Sequence, residues 1–177
     1  MINISYIVYD KPLKDNMWYT AQPFYENCDL DLNELKNLVV SDNVQISPYY
    51  YKYKQKCSYG WDNSKQNCLM FDIDDGKSIS DVLEILDGYN MLLYTTKSHQ
   101  KEKQGIICDR FRLVLPSDNI PKDEDTYFVM LELLRDLFDS DKQTETKSAG
   151  FLGNRGAYTF VRDDGKNFNC ISFSFIS

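Results

Sequence analysis

The chain has 177 residues, 42% of them hydrophobic and 27% charged, with a formal net charge of −7. That length supports one sizeable core, the composition lies near the globular average, and the acidic balance argues against a protein that coats nucleic acid through bulk positive charge. No apolar run is long enough to span a membrane, and MINISYIVYDKP lacks the basic start and apolar stretch of a secretory signal.

Residues 2–9 alternate and are rich in Ile, Val and Tyr, which predicts a strand. Asp31 opens D-L-N-E, an N-cap with an acid three residues on, and Leu32, Leu35, Leu38 and Val39 follow at helical spacing. Residues 44–54 hold Tyr49, Tyr50, Tyr51 and Tyr53 and read as strand or extended chain, with Pro48 arguing against a central strand. The run CLMFDID, residues 68–74, is apolar and ends in acids. A short helix is predicted over 79–87, stopped by Gly88, then a buried strand over 90–96. RFRLVL, residues 110–115, alternates up to Pro116. The strongest helix covers 124–138, with Tyr127, Met130, Leu131, Leu134, Leu137 and Phe138 on one face. A polar loop over 139–156 and two strands, 157–161 and 168–176, complete the chain. The mixture predicts an α+β fold in one domain, with an N-terminal α/β part over 1–65 and a core over 66–165.

The five cysteines (Cys28, Cys57, Cys68, Cys108 and Cys170) are odd in number and form no C-x-x-C, which predicts reduced thiols and a cytoplasmic protein. Charge is unevenly spread: residues 72–96 carry −5 and 113–141 carry −6, whereas 97–112 carry +3 and 142–166 carry +2. Carboxylates at metals ringed by cations would give this pattern in an enzyme acting on a polyanion; solvated helix faces would give it too.

Asp72 and Asp74 lie two apart on a predicted strand and share a face. Adjacent carboxylates repel unless a cation sits between them, which is how many enzymes hold Mg²⁺ or Mn²⁺. Gly76-Lys77-Ser78 mimics the end of a phosphate-binding loop, but Phe71 stands where that loop needs glycine. An EF-hand loop fails at Gly76 and Leu83. Phe71-Asp72-Ile73-Asp74-Asp75 resembles the first motif of haloacid dehalogenase-type phosphatases, with Asp72 as nucleophile, Thr95 or Thr96 as second motif and Asp163-Asp164 as the acidic one. In this chain Gly76 takes the place of that family's usual threonine.

After strand 90–96 comes Lys97-Ser98-His99, a polar loop, and Asp109-Arg110-Phe111-Arg112. Two strands joined by such a loop form an extended hairpin with Arg110 and Arg112 on one face. Histidine beside two arginines makes a triphosphate clamp, since guanidinium donates in a fixed fork and imidazole adds one bond. A solvated loop histidine and arginines paired with the nearby acids fit the spacing equally.

The order FDIDD, T-x-S-H and DRFRLVLP resembles the catalytic core of the archaeo-eukaryotic primase superfamily, above all the plasmid- and phage-type primase-polymerases. The resemblance implies a mostly antiparallel central sheet flanked by helices, similar to an RNA-recognition-motif core. It implies a metal-dependent nucleotidyltransferase that makes or extends primers on single-stranded DNA. Asp72 and Asp74 match its first motif, and Ser98-His99 the second. Asp141, ahead of Thr144, matches its third acid, with Asp139 as alternative and Lys147 or Arg155 as the following basic residue. Asp72, Asp74 and Asp141 would then hold two Mg²⁺ or Mn²⁺ ions, and Lys97, Ser98, His99, Arg110 and Arg112 the incoming nucleotide. Lys101, Lys103, Lys142, Lys147 and Arg155 become candidates for the template, with the tyrosines of 49–53 as stacking platform or as half-buried strand. Expected partners are nucleoside triphosphates, a single-stranded DNA template and a helicase domain or protein. A non-catalytic single-strand-binding module is the further alternative.

Overall fold

The computed structural model describes residues 1–10, 25–52, 61–141 and 150–170. In chain order its elements are β1 (Ile2–Val8), β2 (Glu26–Leu30), α1 (Leu32–Val39), β3 (Val44–Ser47), β4 (Cys68–Ile73), α2 (Ile79–Ile85), β5 (Met91–Thr95), β6 (Phe111–Pro116), α3 (Glu124–Phe138), β7 (Phe151–Leu152) and β8 (Thr159–Arg162). They form an α+β arrangement of two four-stranded antiparallel sheets, ordered β2-β1-β3-β7 and β4-β6-β5-β8. A single central sheet was the expectation; β1 instead takes β2 and β3 as its own partners.

Each helix starts where its cap dictates. Asp31 accepts from the Asn33 and Glu34 amides at 2.8 Å, and Glu34 returns a carboxylate to the Asp31 amide at 2.9 Å. Ser78 and Asp81 repeat this box at α2, and Asp123 caps α3 through Thr126. Tyr127, Met130, Leu131, Leu134 and Phe138 of α3 are buried, and the Phe138 ring packs edge-on against Phe71 of β4. Apolar residues of both sheets and of all three helices belong to one core.

Residues 26–30, ENCDL, lack an apolar alternation and carry no strand signal of their own, yet pair along the edge of β1. Two expectations are corrected. The expected loop 139–156 contains β7, which pairs with β3. Strand 44–54 ends at Ser47, and Tyr49 and Tyr51 are fully buried, packed edge-on against Trp61 and Tyr25. Tyr53 and residues 171–176 of the last expected strand lie outside the described residues. Among the described residues, no helix is long and apolar enough to cross a membrane.

Candidate active site

The pairing register builds the site. Asp72 on β4 lies directly across from Arg112 on the inner strand β6, and Arg112 across from Tyr94 on β5. Same-face neighbours at such positions touch. Arg112 Nη2 lies 3.3 Å from Asp72 Oδ2, and its guanidinium carbon 6.0 Å from the Tyr94 ring centre. Arg112 Nη1 also donates to the Leu152 carbonyl of β7, so one guanidinium ties the two sheets together. Burial, the largest single influence, opposes the Arg112 charge, but Asp72 and Tyr94 together outweigh it and raise the Arg112 pKa. Burial pushes the Tyr94 phenol well up.

Asp74 follows just beyond β4 and is balanced by two cations. Arg110 Nε lies 3.3 Å from Asp74 Oδ1, and Lys103 Nζ contacts Asp74 Oδ2. The third acid arrives from α3. Asp139 caps that helix in the left-handed region (φ 51°), and the turn it makes lets the Asp141 amide donate to the Asp72 carbonyl at 2.8 Å. Burial raises the Asp141 carboxyl above the ordinary range, and the charges of Asp72, Asp74 and Asp75 add to it. Asp139, by contrast, is 59% exposed and lies 3.7 Å from Lys77. Of the two candidates, Asp141 is the one whose charge bears on the pair.

Gly76 makes this convergence possible. A Cβ there would collide with the Asp139 carbonyl oxygen and sit 2.6 Å from Asp139 Cβ. Gly76→Ala is expected to cost about 1–3 kcal/mol by overpacking against backbone. It should also swing Asp141 away from Asp72, read as a lower Tm together with weaker Mn²⁺ binding. An unchanged Mn²⁺ titration in the alanine variant would remove this positioning role.

The Ser98-His99 loop closes the other side. Arg110 is 2% exposed at its side chain, and its guanidinium donates to the carbonyls of Ser98 (2.9 Å), Lys101 (2.6 Å) and Ile106 (3.0 Å). The expectation that Arg110 grips a triphosphate is corrected to this extent: its donors hold the loop and face Asp74, not open space. The Arg110 amide donates to His99 Nδ1 at 3.2 Å, so a neutral imidazole carries its proton on Nε2. Ser98 shares a hydrogen bond with Thr96 at 3.1 Å.

Two open cavities flank this loop. One, about 700 Å³, is lined by Lys97, Ser98, Lys101, Lys103, Arg112 and Leu152 and adjoins the acids. The other, about 410 Å³, is lined by Lys97, His99, Lys101 and Arg155 with Asp42. Asp42 accepts from the Arg155 amide at 2.9 Å and lies 3.2 Å from Lys97, which together hold its carboxyl below the ordinary range. Ser98 and Arg112 thus share a cavity, His99 and Arg155 share another, and Lys97 and Lys101 face both. Lys142, Thr144 and Lys147 lie outside the described residues. Asp42, Gly76 and Tyr94 were not legible as site residues; only the Arg112–Tyr94 pairing could have been anticipated, from the hairpin.

Three carboxylates with hard oxygen donors suit Mg²⁺ or Mn²⁺, and the mutual repulsion around Asp141 is what a divalent cation relieves. Among the described residues, no three Asp, Glu, His or Cys side chains are gathered closely enough to form a finished ion cage. Asp72 and Asp74 are turned instead to Arg112, Arg110 and Lys103. The donor set fits a divalent cation in kind. The haloacid dehalogenase arrangement fares worse. Asp163 bonds Asn33 and lines a cavity with Asn67 and Pro116, at the end of the sheet opposite Asp72. Thr95 is buried, its hydroxyl accepting from the Tyr158 amide. No protein-family model matches the chain, and comparisons with curated proteins and with solved structures return no match.

Proposed function

We propose that this protein is a metal-dependent nucleotidyltransferase, a primase-polymerase that makes or extends primers on single-stranded DNA in plasmid or phage replication. The observation that carries the reading is the approach of Asp141 to Asp72 and Asp74 at one end of β4, close enough for their charges to act on one another, with Arg112 and Lys103 linking them to a cationic cavity of about 700 Å³. A cavity of that size accommodates a nucleotide.

Asp72, Asp74 and Asp141 would hold the divalent ions. Bound there, such ions assist deprotonation of a 3′-hydroxyl and neutralise the charge of the pyrophosphate leaving group. Lys97, Ser98 and Arg112 supply donors to the phosphates from the cavity wall, and His99 offers its Nε2 proton from the adjoining side. Arg110 acts through the loop it holds, setting the positions of Ser98 and Lys101. Lys101 and Arg155 line a surface suited to the template backbone.

The test is synthesis. Wild-type protein with single-stranded DNA, Mn²⁺ or Mg²⁺ and labelled nucleotides should give product that Asp72→Ala and Asp74→Ala reduce at least about 10³-fold, because loss of a metal ligand removes most of the charge stabilisation. No metal-dependent product in any condition would sink the proposal. Turnover of a generic phosphate ester, lost in Asp72→Asn, would favour the phosphatase. Salt-dependent strand binding without synthesis would favour the binding module. In the same system His99→Ala is expected to weaken nucleotide binding about tenfold, the effect of one charge-assisted hydrogen bond, and template binding less. Equal losses would count against His99 as a phosphate donor.

A further inference from the structure

Residues 103–106 form a tight hairpin: Lys103 and Ile106 exchange both backbone hydrogen bonds, at 3.0 and 3.1 Å. Gln104 (φ 54°) and Gly105 (φ 81°) both occupy the left-handed region, as the favoured two-residue hairpin turn requires. The buried Arg110 guanidinium holds the hairpin's base through Lys101 O and Ile106 O, and Cys108 Sγ donates to the Asp74 carbonyl at 3.3 Å. This is a braced projection. The arm that leaves its turn nevertheless exposes two successive large aliphatic residues, Ile106 at 50% and Ile107 at 64%. Ile106 pairs across the turn with Lys103, and exposed Lys101 and Lys103 both line the cavity of about 700 Å³.

Aliphatic side chains on a rigid support, flanked by ammonium groups, match a strand that offers apolar base faces along an anionic backbone. Isoleucine serves as such a wedge against bases elsewhere. We infer that Ile106 and Ile107 form a base-contacting arm of this hairpin that packs on unpaired bases of a single-stranded nucleic acid, while Lys101 pairs with its phosphates. This rests on the nucleotidyltransferase reading for its setting and adds the part of the strand that is read: the base faces, without sequence preference.

The test compares the whole chain with the Ile106→Ser/Ile107→Ser double variant and with Lys101→Gln. The probes are an oligothymidylate and an abasic oligonucleotide of equal length, titrated across a salt series. Wild type should favour the base-bearing strand, and the isoleucine variant should lose on the order of fivefold in that affinity, the worth of partly burying two isoleucines. Its salt slope should not change, because no charge is removed. Lys101→Gln should lower the slope by about one and leave the base preference intact. Equal affinities for both strands in wild type, or an unaltered base preference in the double variant, would overturn the inference. So would wild-type self-association that the serines abolish, which would assign the two isoleucines to a second copy of the chain. Synthesis without an isoleucine effect would defeat this inference alone; an isoleucine effect without synthesis would defeat only the polymerase reading.

Discussion

Arg112→Met is expected to destabilise the protein by about 3–5 kcal/mol, the usual effect of removing one partner of a buried ion pair. For a chain of this size that is a fall in Tm of roughly 10 °C. Arg112 is 15% exposed at its side chain and lies on an inner strand of its sheet. Methionine keeps most of its apolar volume, so the loss comes from the guanidinium. Asp72 would face Asp141 without its cross-strand cation, and the Leu152 carbonyl would lose the donor that links β7 to β6. A double-mutant cycle separates these effects. Combining Arg112→Met with Asp72→Asn should recover at least about 1 kcal/mol, the share owed to the uncompensated carboxylate. The remainder reports the link between the sheets. A cost below about 1 kcal/mol for Arg112→Met, the scale of an exposed pair, would show that Arg112 does not act as a buried ion pair.

How far this site could be read in advance depends on which interactions are local. Alternation put Arg110 and Arg112 on a common face, and likewise Asp72 and Asp74, because side-chain direction in a strand follows from sequence parity. Helix α3 was legible to its ends, with a strong apolar stripe and an Asp cap. The partner across the sheet was not legible, since register is set by the whole packed layer; Asp72 opposite Arg112 is a fact about β4 meeting β6. Burial was not legible either. Two arginines two residues apart look alike in sequence, but Arg110 closes under the loop and Arg112 reaches the seam between sheets. Gly76 illustrates the same limit. In the sequence it is only a departure from a phosphatase motif; in the fold it is the place where α3 approaches too closely for a side chain. The ENCDL edge strand escaped because its stability comes from β1, not from any pattern of its own.

Asp141→Asn is expected to raise metal-free stability near neutral pH and to abolish the stabilisation that Mn²⁺ gives the wild type. The folded protein binds the Asp141 proton more tightly than the unfolded chain does, because burial and the neighbouring Asp72, Asp74 and Asp75 raise its pKa. Wild-type stability therefore falls as pH rises from the ordinary carboxylate value through the raised one, and the full penalty persists above it. Asparagine has nearly the same shape and no charge, so its stability curve should be flatter through that window. A divalent cation held there would bind the charged form and reverse the penalty. At a hundredfold excess over its dissociation constant it should add about 2.7 kcal/mol, a rise in Tm of several degrees. Melting curves of wild type and Asp141→Asn with and without Mn²⁺ measure both effects at once, independently of any synthesis. Asp139→Asn is the control: its carboxylate is exposed and faces Lys77, so it should keep the wild-type Mn²⁺ shift. If the Asp139 variant loses that shift and the Asp141 variant retains it, the third carboxylate is Asp139. The turn at the end of α3 would then serve a different geometry from the one in which the Asp141 amide binds Asp72.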